Sequence, residues 1–284
     1  MNDELPVDSE QARLWNGPSG QAWIDLQDAL DRSLQPFEDL LVQAVAAQSA
    51  HQVLDVGCGT GATTIALARR LADGGRCTGI DISNPMIAVA RARAERAGSR
   101  ARFICADAQT HAFEPAAFDC LVSRFGVMFF EQPVQAFANL RRAARTNASV
   151  HFVAWRSEAH NPFMTTAERA VAPLLPTLPA RRSDGPGQFA FADRDRVRSI
   201  LNDSGWIDIQ IQPIDVACTM GKGDLDRYVT RLGPVGRALR EVDPPTHARV
   251  AATLREAFTP YVRGDVARFT AACWMIGARA PRPD

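Results

Sequence analysis

Lysine is almost missing from this chain: Lys222 is the only one, and arginine carries the remaining basic charge. Together with the many alanines, this reads as base composition of the coding sequence rather than a binding function. Neither sign of charge is in excess, since Lys+Arg and Asp+Glu number 32 each. That balance removes the bulk electrostatic case for a nucleic-acid partner. No apolar run is long enough to cross a bilayer, so no membrane span is expected. The opening Met1-Asn2-Asp3-Glu4-Leu5-Pro6 is acidic and polar, unlike a secretion signal. The six cysteines (58, 77, 105, 120, 218, 273) form no C-x-x-C pair and no disulfide framework. They read as reduced, buried thiols of a cytoplasmic protein. The five histidines lack any spaced cluster with cysteines or acids, so no metal site is expected.

What remains is an ordinary globular composition, 46% hydrophobic and 23% charged over 284 residues. That length accommodates one large domain, or one domain with an added cap. Its most informative stretch is Val53-Leu54-Asp55-Val56-Gly57-Cys58-Gly59-Thr60-Gly61. Apolar residues around an aspartate read as a buried parallel strand, followed by glycines at alternate positions and then a helical pattern from Thr63. A strand that enters a helix through a glycine turn lets backbone approach a ligand closely and aims free helix N–H groups at it. The pattern asks for a nucleoside-containing cofactor.

From residue 52 onward strands and helices alternate. Strands are expected near 77–81, 102–106, 119–123 and 149–155, and helices near 85–97 and 133–144. Ser83 is placed to cap the first of these helices, Pro85 to start it and Gly98 to end it. This rhythm implies a parallel sheet covered on both faces, a Rossmann-like doubly wound α/β fold. Ahead of it, residues 10–50 carry a helical apolar stripe from Trp23 to Leu41, with a break expected at Pro36. Trp15-Asn16-Gly17-Pro18-Ser19-Gly20 reads as a turn-rich segment. Beyond residue 156, the stretch 161–188 is rich in proline and arginine. Asp193 is expected to cap a helix that Gly205 closes, a sixth strand to follow at 207–216, and two helices near 225–239 and 248–262 to precede a last strand at 267–278.

The glycine turn also fits a looser dinucleotide fingerprint, Gly57-x-Gly59-x-x-Ala62, which leaves an NAD-dependent oxidoreductase as the alternative. Three details argue against it: Asp55 just before the turn, the third glycine at 61, and a chain that runs past five strands to a β-rich end. The segment resembles motif I of class I S-adenosylmethionine-dependent methyltransferases, Asp-x-Gly-x-Gly-x-Gly. Further family motifs follow in order. Gly79-Ile80-Asp81-Ile82-Ser83-Asn84-Pro85-Met86 resembles the second-strand motif, Cys105-Ala106-Asp107-Ala108-Gln109 the third, and Phe118-Asp119-Cys120-Leu121-Val122-Ser123-Arg124-Phe125-Gly126 the fourth. The resemblance is greatest to the small-molecule branch that includes the ubiquinone/menaquinone C-methyltransferases, and it covers residues 50–156.

The resemblance implies a seven-stranded mixed sheet whose last strand inserts antiparallel beside the sixth. It also implies an N-terminal helical lid at 1–50, a cofactor-binding core at 51–156, a linker, helix and sixth strand at 157–217, a helical cap insert at 218–265, and the last strand at 266–284. The implied cofactor is S-adenosyl-L-methionine, contacted by Asp55, Gly57, Cys58, Gly59, Thr60, Gly61, Asp81, Ile82, Met86, Asp107, Ala108, Gln109 and Ser123. Asp81, 24 positions after Gly57, suits the ribose hydroxyls, near the usual spacing of about 20 residues. Asp107 and the Ala108 amide suit adenine, and Ile82 and Met86 would flank it. Asp55 either holds the donor's ammonium through water or caps the glycine turn.

The implied reaction is methyl transfer to a small, partly apolar metabolite, with a catalytically inactive cofactor-binding regulator as the alternative outside enzymology. Acceptor contacts are expected from Trp15, Trp23, Arg124 and Phe125, with Phe163, Phe189 and Phe191 as further apolar wall. Arg124 would pair with an anionic substrate or with the cofactor's carboxylate, or bridge to an acid such as Glu131. His160, five residues past the fifth strand, is the candidate base. His151 and His51, at the opposite edge, are expected to be structural. The Pro-Pro-aromatic motif of nucleic-acid amino-methyltransferases is absent at Ser123-Arg124-Phe125, so no nucleic-acid substrate is expected. The oligomeric state is not legible.

Overall fold

The computed structural model describes residues 9–72, 74–176, 178 and 185–282. The acidic opening hexapeptide and part of the proline–arginine tract lie outside the described residues. Three helices come first: α1 (Glu10–Asn16), α2 (Pro18–Asp25) and α3 (Gln27–Ala46). The alternating region follows with β1 (Gln52–Val56), α4 (Ala62–Arg70), β2 (Arg76–Asp81), α5 (Asn84–Arg96), β3 (Arg102–Cys105), β4 (Phe118–Arg124), α6 (Pro133–Ala143) and β5 (Ala144–Trp155). Then come α7 (Pro162–Val171), α8 (Arg194–Asp203), β6 (Ile207–Gly221), α9 (Lys222–Arg231), α10 (Gly233–Ala238), α11 (Pro244–Phe258), the two-residue β7 (Val262–Arg263) and β8 (Val266–Arg279).

The strands form one sheet in the order β3-β2-β1-β4-β5-β8-β6, with β7 paired to β8. The pairs among β1 to β5 are parallel, and β8 runs antiparallel between β5 and β6. This is the mixed Rossmann-like sheet that the family resemblance implied, with the two-residue β7 as an eighth strand beside the seven. The chain leaves β1 toward β2 on one side and returns to β4 on the other, so the carboxyl ends of β1 and β4 border the crevice where open α/β sheets hold ligands. The interior strands are built for burial on both faces: Val53, Leu54, Cys120 and Leu121 are fully buried.

Local signals act as their chemistry requires. The Ser83 hydroxyl accepts from Met86 N to cap α5, with Pro85 in the first turn. Asp193 accepts from Asp195 N and Arg196 N at the head of α8. Asn147 takes a left-handed φ of 61° within β5, where the pairing with β4 shifts register.

Several expectations are corrected. Pro36 breaks nothing, because α3 runs through it. The proline forfeits only the bond to the Arg32 carbonyl on an exposed flank, while buried Ser33, Leu34, Phe37 and Leu41 fix the axis against the core. The real interruptions are at Gly17 and Leu26, and the segment around Trp15 is helical on both sides of Gly17. The sixth strand runs on to Gly221, where its pairing with β8 ends. A second, smaller apolar cluster joins Leu26 and Leu30 to Phe163, Val229, Leu254 and Phe258. Phe163 stacks on Phe269 within it, ring centroids 3.9 Å apart, and Phe191 packs with Phe137 and Phe152 in the main core. Phe189 lies against that same core. These three phenylalanines are core packing rather than pocket wall.

Candidate active site

The glycine turn is held from both sides. Gly57 N and Cys58 N both donate to Ile80 O, and Gly61 N donates to Cys58 O. Gly57 has φ 68°, and a Cβ there would lie 2.6 Å from the Gly126 Cα. Only two glycines allow the end of β1 and the loop after β4 to touch. Gly59 differs: at φ 53° a Cβ would meet nothing but Met86 Sδ, at 3.8 Å. Its outer face opens onto the crevice, roofed by that sulfur.

Asp81 closes the turn. One carboxylate oxygen accepts from Gly59 N at 2.8 Å and the other from Ser83 N at 2.9 Å. An ionised carboxylate has about four acceptor positions, so two remain for a pair of hydroxyls. Burial raises the Asp81 pKa, opposed by the backbone bonds from Ser83, Gly59 and Ile82. Asp55 lies beneath, buried, and accepts from Thr64 Oγ1 at 2.6 Å. That bond ties β1 to α4 rather than capping the glycine turn. Burial pushes the Asp55 carboxyl up to about 6, against the pull of the Thr64 bond and of Arg124. Burial also lifts the Cys58 thiol well above its ordinary value, so its sulfur acts as a small apolar group.

Asp107 is half-buried, and its carboxylate accepts from the backbone and side-chain N–H groups of Gln109. Gln109 in turn accepts from Gln132 N through Oε1. Asn139 of α6 braces this loop by donating to Ala108 O and His111 O. Ile82 is half-buried beside Asp81, and Met86 is buried on α5. Of the expected set, Gly57 to Gly61, Asp81, Ile82 and Asp107 to Gln109 stand at the carboxyl ends of β1, β2 and β3, while Asp55 lies buried within β1 and Met86 on α5.

Ser123 serves the fold instead. Its hydroxyl donates to Val56 O and accepts from Gly126 N and Val127 N, so the group joins β1 to the loop after β4. Phe125 is buried, with φ 65°, and stacks on Trp155 at 4.6 Å; packing, not an open face, determines its place. Arg124 pairs with Asp31 at 3.2 Å and lies 3.9 Å from Glu38, not beside Glu131. His160 is exposed on the turn Glu158–His160, its Nδ1 2.7 Å from Ser157 Oγ. A base role gains no geometric support from that engagement with its own turn. His151 is half-buried and bonded to Gln48 at the far edge, and desolvation lowers its pKa. Among the described residues no metal-binding cluster occurs.

The N-terminal helices cross the mouth. Asn16 donates to Ile82 O and accepts from Asn84 N, and Ser83 Oγ donates to Trp15 O. On the opposite bank Gln11 N reaches Glu131 at 3.5 Å, and Trp15 meets Phe129 edge-on at 5.0 Å. Trp23 stands edge-on to Trp15 at 6.1 Å. Both tryptophans remain half-buried.

Sequence reasoning missed Asn16, Thr64, Gly126, Asp31, Arg93 and Glu38. One signal existed for two of them: Asp31 and Glu38 are seven residues apart, which is two helical turns and one face.

A family model described as a methyltransferase domain matches residues 53–147. A demethylmenaquinone methyltransferase of Renibacterium salmoninarum is 26% identical over 62% of this chain and 75% of that protein. Another, of Thermus thermophilus, is 34% identical over 40% of this chain and 54% of its own length. The crystal structure of a putative methyltransferase from Bacillus halodurans superposes with a TM-score of 0.56 at 17% identity, covering 85% of this chain and 98% of that one. Sheet order, glycine turn and sequence similarity together define a class I S-adenosylmethionine-dependent methyltransferase that resembles the menaquinone methyltransferases. No described helix is long and apolar enough to cross a membrane.

Proposed function

We propose that this enzyme methylates a small, partly apolar metabolite by in-line displacement at the carboxyl edge of β1, β2 and β4. The observation that carries this reading is the Asp81–Gly59 clasp, with the open face of Gly59 beneath Met86 and the Trp15 helix across the mouth. When bound, S-adenosylmethionine supplies an electrophilic methyl group on a sulfonium. Asp81 uses its two remaining acceptor positions for the ribose hydroxyls, and Asp107 and the Ala108 amide face adenine. Met86 and Ile82 cover the ring, and the carboxylate of Asp55 favours the positive charge of the donor. Displacement at a methyl carbon needs alignment and a dry site more than acid–base chemistry. Helices α1 and α2 act as the lid that excludes water, and Trp15, Trp23 and Phe129 offer aromatic edges to an apolar acceptor. The second apolar cluster forms the body of the cap.

Calorimetric titration with S-adenosylmethionine and with NAD tests the donor assignment. Binding of NAD alone would overturn it. Turnover is followed as S-adenosylhomocysteine release against a metabolite extract. Demethylmenaquinone, after which two relatives are named, is the first pure acceptor to assay.

A further inference from the structure

Four charged side chains meet where α3 passes the glycine turn. Asp31 accepts from Arg93 Nη2 at 2.7 Å through one oxygen and from Arg124 Nη2 at 3.2 Å through the other. Arg93, on α5, reaches on with Nη1 to the Thr60 carbonyl at 2.9 Å and the Thr60 hydroxyl at 3.0 Å. One carboxylate thus connects the lid-bearing helix, the glycine turn and the end of β4. Arg124 Nη1 is buried without a hydrogen-bond partner. Glu38 Oε2 lies 3.9 Å away, beyond hydrogen-bond reach. A buried guanidinium N–H without an acceptor calls for an explanation.

Strand order supplies one. With adenine over β3 and ribose over β2, an extended nucleoside ligand runs on across β1 toward β4. Its far end comes to Thr60 and Arg124. In S-adenosylmethionine and S-adenosylhomocysteine that end carries a carboxylate.

We propose that Asp31 is a positioning residue that holds Arg93 on Thr60 and turns Arg124 so that its unpaired Nη1 takes a carboxylate oxygen of the methyl donor. This rests on the donor reading above. Without the negative charge at Asp31, Arg93 loses its anchor beside Thr60 and Arg124 is free to swing toward Glu38. The damage is confined to the amino-acid end, because Asp81 is held by Gly59 and Ser83 and Asp107 by Gln109, not by the cluster.

The test uses the full chain and two ligands: S-adenosylhomocysteine, and 5′-methylthioadenosine, which shares adenine, ribose and sulfur but lacks ammonium and carboxylate. Asp31→Asn should weaken S-adenosylhomocysteine about tenfold or more and change methylthioadenosine less than about twofold. Arg124→Gln should show the same selectivity, and Asp31→Glu should recover part of the loss. Thermal melts of each variant separate misfolding from local loss. Equal weakening of both ligands would make Asp31 a general support of the site and overturn the proposal, as would unchanged S-adenosylhomocysteine affinity in a folded Asp31→Asn protein. If wild-type protein binds neither compound, the donor reading itself falls.

Discussion

Asp81→Ala isolates the clasp at the centre of the site. In the free protein the substitution removes the acceptor of Gly59 N and of Ser83 N. Asp81 is half-buried, so water reaches part of the gap, and the burial that raises its pKa shows the charge is costly to hold. The net loss of stability should therefore be about 1–2 kcal/mol. In the complex the ribose hydroxyls lose a charged acceptor as well, which adds about 2–4 kcal/mol, a Kd roughly 30- to 800-fold weaker. Calorimetric titration of S-adenosylhomocysteine, at a temperature where circular dichroism shows both proteins folded, measures the second quantity. A 2′-deoxy analogue sharpens it: the ligand already lacks one partner, so Asp81→Ala should cost less there than with the ribose compound. Equal costs for both ligands, or equal affinities of wild type and variant, would refute the assignment of Asp81 to the hydroxyls and leave it a clasp for the turn alone.

Gly59→Val should abolish donor binding while costing about 1–3 kcal/mol of stability, since a β-branched residue is strained at φ 53° and its methyls fill the open face below Met86; a melt beside a binding isotherm checks both. Asp55 has a folded pKa raised from 3.8 to about 6. Its contribution is fully present below pH 3.8 and lost as pH rises through 6. Asp55→Asn should therefore gain thermal stability relative to wild type as pH rises from about 4 to about 7, by up to ~3 kcal/mol, and hold that gain at higher pH; a difference that stays constant from about pH 4 to about pH 7 would show the reasoning wrong. Saturating S-adenosylhomocysteine should slow proteolysis at Gly17–Gly20, and equal rates with and without it would reduce α1 and α2 to fixed scaffold. Trp15→Ala should raise KM for the acceptor more than it changes donor affinity, to be read from initial rates once an acceptor is known.

The fold was legible because its signals are local and redundant. The glycine turn, the Ser83 and Asp193 caps and the alternation of strand and helix each specify a short stretch, and they agree. Pro36 misled because propensity is a weak prior once Phe37 and Leu41 are buried on either side of the same turn of helix. At the site, residues on the three strand ends could be read in order, since each follows its own strand. Arg93 could not. It stands among Arg91 and Arg96 on α5, and nothing in a run of arginines tells which one a distant Asp31 will select. Phe125 and Phe191 were misassigned for the related reason that an aromatic in a loop reads the same whether it faces a ligand or plugs the core.

The placement of β8 between β5 and β6 has a consequence for how the molecule is made. β5 is complete at Trp155, but the neighbour it must pair with begins at Val266. Until the ribosome has delivered that segment, β5 presents a bare row of backbone donors and acceptors, the kind of edge that recruits other chains. β6 is in the same position, since its long ladder is made with β8. The donor-binding half can therefore assemble early from contacts close in sequence, while closure of the sheet is a late, long-range event. Any fragment that stops short of Val266 should be retained by chaperones or aggregate, even though every residue proposed to face the donor is present in it.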